Sequence, residues 1–365
     1  MKALAGLVLL GIACSADAGG ADRAELGRLR DPNPVIRREA AAALSGQADG
    51  AILPALVAAL ADADVEVRRQ ALEGLGGYRE PEAVSALLEA LDDPDATVQQ
   101  TAASSLSRIG TPALAGLLEA AVRGDAARRL GAVRALGGLQ DEQSLQTLLH
   151  ALSDEETPVR EAAVGALTGR HDDRLVEPVL SLLGDADPGV QGRAASVLAG
   201  LKDTRAIAPM IAALRDSEAS LQGRLATALS EFGPAAVPAL IAALQDEDAG
   251  MQAGALSALS QLGPTALLPL LGELGRTFPT SHENLYEAVR ALGTGIDRPL
   301  QTALRSADPR LRTGAALVLG REGSHDAYRS LHPLLDDPDS GVREAAGLSL
   351  SRLEPAARDI LPAVH

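Results

Sequence analysis

The stretch "DADVEVRRQALEGLGG" (residues 62–77) decides the fold. It reads as a tight acidic turn, then a helix whose apolar stripe is drawn by Val67, Ala71 and Leu75, and then a glycine stop. One such helix cannot bury its stripe alone. The covering surface is in the sequence itself, because the pattern returns in "DDPDATVQQTAASSLSRIG" (92–110), "DEETPVREAAVGALTG" (154–169), "DADPGVQGRAASVLAG" (185–200) and "DDPDSGVREAAGLSL" (336–350).

Anchored on the residue seven before the closing Leu, the copies fall at Arg37, Arg68, Gln99, Arg129, Arg160, Gln191, Gln222, Gln252, Leu285, Arg312 and Arg343. Their spacings are 31, 31, 30, 31, 31, 31, 30, 33, 27 and 31. Every closing position is Leu, from Leu44 to Leu350, and the position four before it is Ala except at Leu225. A small residue at the middle of the stripe lets a neighbouring helix approach closely. Six before the anchor stands Asp in eight copies, and four before it a second acid in nine. Both acids suit the free N–H groups and positive dipole end of a helix start, so both are expected to be helix caps.

Ahead of each turn lies a second amphipathic segment, such as "ILPALVAALAD", "PEAVSALLEALDD" or "AIAPMIAALRD". The unit is therefore a pair of short antiparallel helices, and pairs that cannot bury a face alone must stack. The expected fold is all-α: a right-handed α-solenoid of about eleven two-helix repeats filling residues 21–365. Composition agrees, since aromatics are 1% of the chain and Trp is absent, which suits helices packed through Ala and Leu rather than a core with large fillers. The last segment, "EPAARDILPAVH", reads as a lone closing helix.

Net charge is −16, which disfavours nucleic acid and anionic membrane surfaces as partners. The N-terminus, "MKALAGLVLLGIACSADAGG", places Lys2 before an apolar run over residues 3–13, the form of a secretory signal. "LGIAC" is similar to a bacterial lipobox, which makes residues 1–14 the signal peptide, Cys14 the lipidated residue and 15–20 a short linker. The alternative is cleavage after Ala18, at "ADA". Either way the expectation is an exported protein of the cell envelope or periplasm, meeting a membrane only through a lipid anchor.

An Asp turn followed by Val-Arg at the head of the second helix, with Pro inside the first helix (Pro54, Pro178, Pro209, Pro238, Pro299), resembles HEAT repeats. The short period is similar to that of the phycobilin lyase family. The resemblance implies a protein-binding scaffold. It implies a ladder of turn Asp and anchor Arg between copies, less ionic where Gln stands at 99, 191, 222 and 252. It also implies a concave side lined by second helices, carrying Arg38, Arg69, Arg134, Arg193, Arg224 and Arg290, as a dock for an acidic or extended peptide.

Two HEAT-like chemistries stand as alternatives. Deoxyhypusine hydroxylase binds iron through His-Glu pairs repeated in matching phase. Here His282-Glu283 is the one such dipeptide, and His150, His171, His325, His332 and His365 do not share its phase. A bilin lyase would call for a nucleophile and stacking rings, yet the array has no Cys and few aromatics. The acidic turns lack the ligand order of a calcium loop, and phosphate-cradling and nucleophile-elbow motifs are absent. The reading is a scaffold without catalysis, cofactor or metal.

The irregular copy is "TSHENLYEAVRALG" (280–293), flanked by the spacings 33 and 27, with Leu285 at the anchor and Ser281 in place of the second acid. Phe278 and Tyr286 bring two of five aromatics to it. Phe278, His282, Tyr286 and Arg290, with Arg193 and Arg224, are the candidate partner contacts.

Overall fold

The computed structural model describes residues 20–47, 49–215, 217–280, 283–322 and 325–358. Residues 1–19 with Cys14, the turn residue Asp216, Ser281, His282 and the segment after Arg358 lie outside these described residues. Within them every regular element is helical, and α1 to α22 follow as eleven pairs, from α1 (Gly20–Arg28) with α2 (Pro34–Ser45) to α21 (His325–Leu331) with α22 (Ser340–Arg358). All eleven anchors fall on the second helices: α2, α4 (Val65–Leu75), α6 (Ala96–Ile109), α8 (Ala126–Gly137), α10 (Thr157–Ala166), α12 (Pro188–Leu201), α14 (Ala219–Ser230), α16 (Ala249–Leu262), α18 (Glu283–Ala291), α20 (Pro309–Glu322) and α22. The chain is an α-solenoid in two compact units, one ending at Arg170 with five pairs and one starting at His171 with six. One detail of the reading changes: Glu354–Arg358 continue α22 rather than opening a lone closing helix, because no turn separates them from Leu353.

The stripe is the core. The Ala or Leu three past each anchor is 0% exposed in all eleven copies, and the closing Leu is at most 7% exposed. Each buried Leu contributes about 1.5–3 kcal/mol by removing apolar surface from water. Within each unit second helices lie against second helices, α2 on α4, α4 on α6, α6 on α8 and α8 on α10 in the first, α12 on α14 and α14 on α16 in the second. Small residues set the approach. Ser105 and Ser349, both buried, each donate to a carbonyl of the preceding second helix, Leu72 at 2.8 Å and Ala316 at 2.9 Å.

The two turn acids do different jobs, which corrects the expectation that both cap. Where it is Asp, the second acid is the cap: Asp64 Oδ1 accepts from Glu66 N and Val67 N at 3.0 and 3.2 Å, and Asp95 and Asp187 repeat this at α6 and α12, whereas Glu156 and Glu218 make no such bond. The first acid folds the turn and then faces the preceding copy. Asp62 Oδ1 accepts the Asp64 N–H at 2.8 Å while both its oxygens take Arg37, at 2.6 and 2.8 Å. Arg68–Asp93, Arg129–Asp154 and Arg312–Asp337 repeat the paired contact at 2.8–2.9 Å. The sequence cannot separate the acids by type, only by their different reach from the helix start.

Each anchor Arg also donates Nη1 back to the carbonyl of its own turn: Arg37 to Asp31 at 2.9 Å, Arg68 to Asp62 at 3.0 Å. Gln is long enough for that bond alone. Gln99, Gln191 and Gln252 donate Nε2 to the carbonyls of Asp93, Asp185 and Asp246 at 2.7, 2.5 and 2.6 Å, and Gln222 to that of Ser217 at 2.8 Å. Gln therefore keeps the turn of its own copy and gives up the charged link to the next, and the ladder is less ionic there, as the substitutions predict.

The ninth copy breaks the stacking. Here α17 (Leu267–Thr277), a first helix, takes the place against α20 that a second helix fills elsewhere, while α18 packs on α16 and has no comparable contact with α20. Two glycines permit the approach: a Cβ on Gly314 would stand 2.0 Å from the Leu271 carbonyl oxygen, and one on Gly275 2.0 Å from that of Arg310. The spacings of 33 and 27 are the sequence trace of this change of partner.

Candidate functional site

Since α17 occupies the face of α20, α18 and α20 splay, and a cleft of about 320 Å³ opens between them. Val289 and Val318, both buried, form its apolar floor beside the Tyr286 ring. Its rim carries Glu283, Glu287, Arg290 and Arg321. The helical spacing explains the grouping: Glu283, Tyr286, Glu287 and Arg290 sit three to four apart on one face of α18.

Arg321 organises the cleft. Its guanidinium lies 3.9 Å from the Tyr286 ring centroid and donates to both Glu283 oxygens at 2.5 and 2.7 Å. The hydrogen bond from Arg321 holds the Glu283 carboxyl below its ordinary range, and the same bond raises Arg321. Burial pushes the Tyr286 phenol up, opposed by the charges of Arg321 and Arg352, the latter also hydrogen-bonded to it. Arg290 is exposed and has no charged partner among the described residues.

Of the six predicted contact residues, the structure brings together Tyr286 and Arg290. His282 lies outside the described residues. Phe278 is half-buried and ends α17, its N–H donating to the Leu274 carbonyl at 3.2 Å, and it does not line the cleft. Arg224 lies over Gly192 and donates to the Pro188 carbonyl, so it serves helix contact between α12 and α14. Arg193, exposed on α12, is already engaged by neighbours. Arg321 and Arg352 were not anticipated. Both stand two past the closing Leu, a phase shared by Arg108, whose guanidinium reaches back to the Glu73 carbonyl at 2.9 Å. That phase points a long side chain at the preceding copy.

The first unit has a larger, shallower hollow of about 580 Å³ along α2, α4 and α6, and it is chemically quieter. Arg69 is clamped by Glu66 and Glu73, and Arg38 by both oxygens of Asp64. Thr101 and Ser104 spend their hydroxyls on carbonyls of their own helix, at 2.8 and 2.9 Å. Of the arginines expected on an inner face, Arg38 and Arg69 are thus neutralised, while Arg134 and Arg290 are exposed with no charged partner among the described residues.

Comparison with known proteins rests on fold. The structure of Kap95p with RanGDP is similar at 15% identity and a TM-score of 0.50, covering 93% of this chain and 58% of that one. Importin beta crystallised with polyethylene glycol gives 13% identity, a TM-score of 0.49 and coverages of 91% and 59%. An engineered protein gives 20%, 0.39, 92% and 99%. The chain spans under three-fifths of the first two of those proteins. No curated protein sequence matches it. The profile of HEAT repeats matches in overlapping stretches at residues 26–107, 53–137, 114–174, 145–221, 207–281 and 279–351, without narrowing to the phycobilin lyases. With the profile tiling nearly the whole array and the paired helices stacked in register with it, the chain belongs to the HEAT-repeat family.

Proposed function

We propose that the chain is an exported scaffold without catalysis, binding partner proteins on its second-helix faces, with the α18–α20 cleft as the main contact. The observation that carries this is the cleft itself: an apolar floor, a tyrosine ring and an exposed arginine, without a charged partner among the described residues, where the repeat stacking is interrupted. Such a combination of aromatic, Arg and buried apolar surface is the composition of protein contact sites. Kap95p, similar in fold, takes a protein partner, RanGDP, which supports the class of ligand.

The iron-dependent alternative requires converging ligands, and among the described residues no three His, Cys, Asp or Glu side chains come together to hold an ion. Metal analysis of the purified protein tests that reading with His282 included. Lys2, the apolar run and Cys14 support export with a lipid anchor. Palmitate labelling that is lost in Cys14→Ser checks the anchor. The scaffold reading is tested by chemical crosslinking in the intact cell envelope. It expects the same few partner proteins in independent preparations. Recovery of only random neighbours contradicts it.

A further inference from the structure

We propose that the α18–α20 cleft is a carboxylate-reading pocket, taking an acidic side chain from an extended segment of a partner protein, with Glu283 seated in it as an internal competitor. This rests on the scaffold reading above and says what that scaffold recognises.

The pocket already displays the recognition. Glu283 presents both oxygens to the fork of Arg321, the two-point geometry with which a guanidinium distinguishes a carboxylate from other acceptors. Yet the Glu283 side chain is 62% exposed and the Arg321 side chain 32%, so the pair stands at the mouth and can be exchanged. Exposed ion pairs are worth only about 0–1 kcal/mol, so an incoming carboxylate with further contacts can displace this one. Those contacts are present: Arg290 beside it for a second charge, and Val289, Val318 and the Tyr286 ring for the aliphatic stem.

Charge fixes the sign of the partner. Among the residues lining the cleft Arg290 and Arg321 balance Glu283 and Glu287, in a chain of net charge −16, and Arg352 adds its charge beside Tyr286. Release of Glu283 from Arg321 frees the guanidinium fork, with Arg290 beside it, to face an incoming carboxylate. The repulsion of the distant acids is screened over roughly 8 Å at physiological salt, so the local cations decide. A cationic partner would be drawn to the acidic chain at large, whereas an acidic one finds its complement at this cleft.

The test is titration of the purified chain with a fluorescein-labelled, C-terminally amidated peptide of alternating Glu and Ala. The same peptide with Gln for Glu, and that Gln peptide with a free C-terminus, serve as comparison. Anisotropy is expected to rise with the Glu peptide alone. Glu283→Gln is expected to tighten binding by about two- to fivefold, the equivalent of one exposed competitor. Glu287→Gln is expected to change it in the same direction. Arg290→Glu is expected to weaken binding by more than about tenfold, with unchanged helical circular dichroism, since the Arg290 side chain is exposed and has no charged partner among the described residues. Equal binding of the Glu and Gln peptides, binding only of the free C-terminus, or weakened binding in Glu283→Gln would each overturn the proposal. If envelope crosslinking finds partners while the Glu peptide does not bind, this inference falls and the scaffold reading stands.

Discussion

Replacing Arg68 by Gln should separate the two jobs of the ladder arginine. In the native chain Arg68 donates Nη1 to the Asp62 carbonyl of its own turn at 3.0 Å, and Nε and Nη2 to Asp93 of the next copy at 2.8 and 2.9 Å. Gln99, in the same phase, makes the first bond alone, to the Asp93 carbonyl at 2.7 Å. Arg68→Gln is therefore expected to keep the turn and lose the link. Both partners are 11% exposed, between the buried pairs whose breaking costs about 3–5 kcal/mol and the exposed ones worth about 0–1. Asp93 also retains the Asp95 N–H at 2.9 Å, which limits the penalty of leaving it alone. The expected loss is about 1–3 kcal/mol. Arg68→Ala should cost about 1 kcal/mol more, through the lost turn bond and the stem that covers the helix. The assay is urea unfolding followed by helical circular dichroism and by emission of Tyr78, the one tyrosine of the first unit, whose hydroxyl is tied to the Asp49 carbonyl at 2.8 Å. A double cycle with Asp93→Asn should return a coupling of about 1–2 kcal/mol. A stacked array need not unfold all at once, so the first-unit transition is the one to read. If Arg68→Gln lies within about 0.5 kcal/mol of the native chain, or costs as much as Arg68→Ala, the division of labour is wrong.

The glycine contact beneath the cleft gives a second expectation: Gly314→Ala drives a Cβ to within 2.0 Å of the Leu271 carbonyl, so it should cost over about 2 kcal/mol and disturb the second unit in thermal melts, whereas an unchanged melt would deny the close approach. Core burial is checked by Leu75→Ala, 0% exposed and expected to lose about 2–5 kcal/mol in urea, against Leu348→Ala, 39% exposed and expected to be near neutral. Acid should also weaken the fold. The Arg38 hydrogen bond holds Asp64 at about 2, the Arg312 hydrogen bond depresses Asp337, and at Asp62 and Asp154 burial pushes upward but is outweighed by Arg37 and Arg129 and by backbone N–H groups. These folded values lie below the unfolded ones, so the unfolded chain binds more protons. Their contribution is complete above about pH 4 and is lost as pH falls toward 2. Urea midpoints that hold steady from pH 5 to 3 would contradict this.

The fold was legible because each copy states it independently. Asp, anchor, Ala and Leu recur in phase, and the structure needed only to pair the helices that those residues define. The break at the ninth copy was legible too, in the spacings and in Leu285. The cleft was half legible. Tyr286 and Arg290 stood out as an aromatic and a charge on an irregular helix, but Arg321 and Arg352 come from later copies and reach back, and no local pattern announces that α17 will displace α18 from α20. The inner-face arginines misled in part, because which carboxylate clamps Arg38 or Arg69 depends on turn geometry and rotamer rather than on residue type. Phe278 drew attention as a rare aromatic and proved to close a helix.

The central claim is that partners bind at the α18–α20 cleft, and a photo-crosslinking side chain at position 287, on its rim, tests it most directly. The control is the same side chain at position 122, on a first helix of the other unit where Val122 is 56% exposed. In the native envelope, position 287 should give discrete partner adducts that position 122 does not, and Arg290→Glu in the same chain should abolish them. Adducts that are the same at both positions, or that survive Arg290→Glu, would contradict the account.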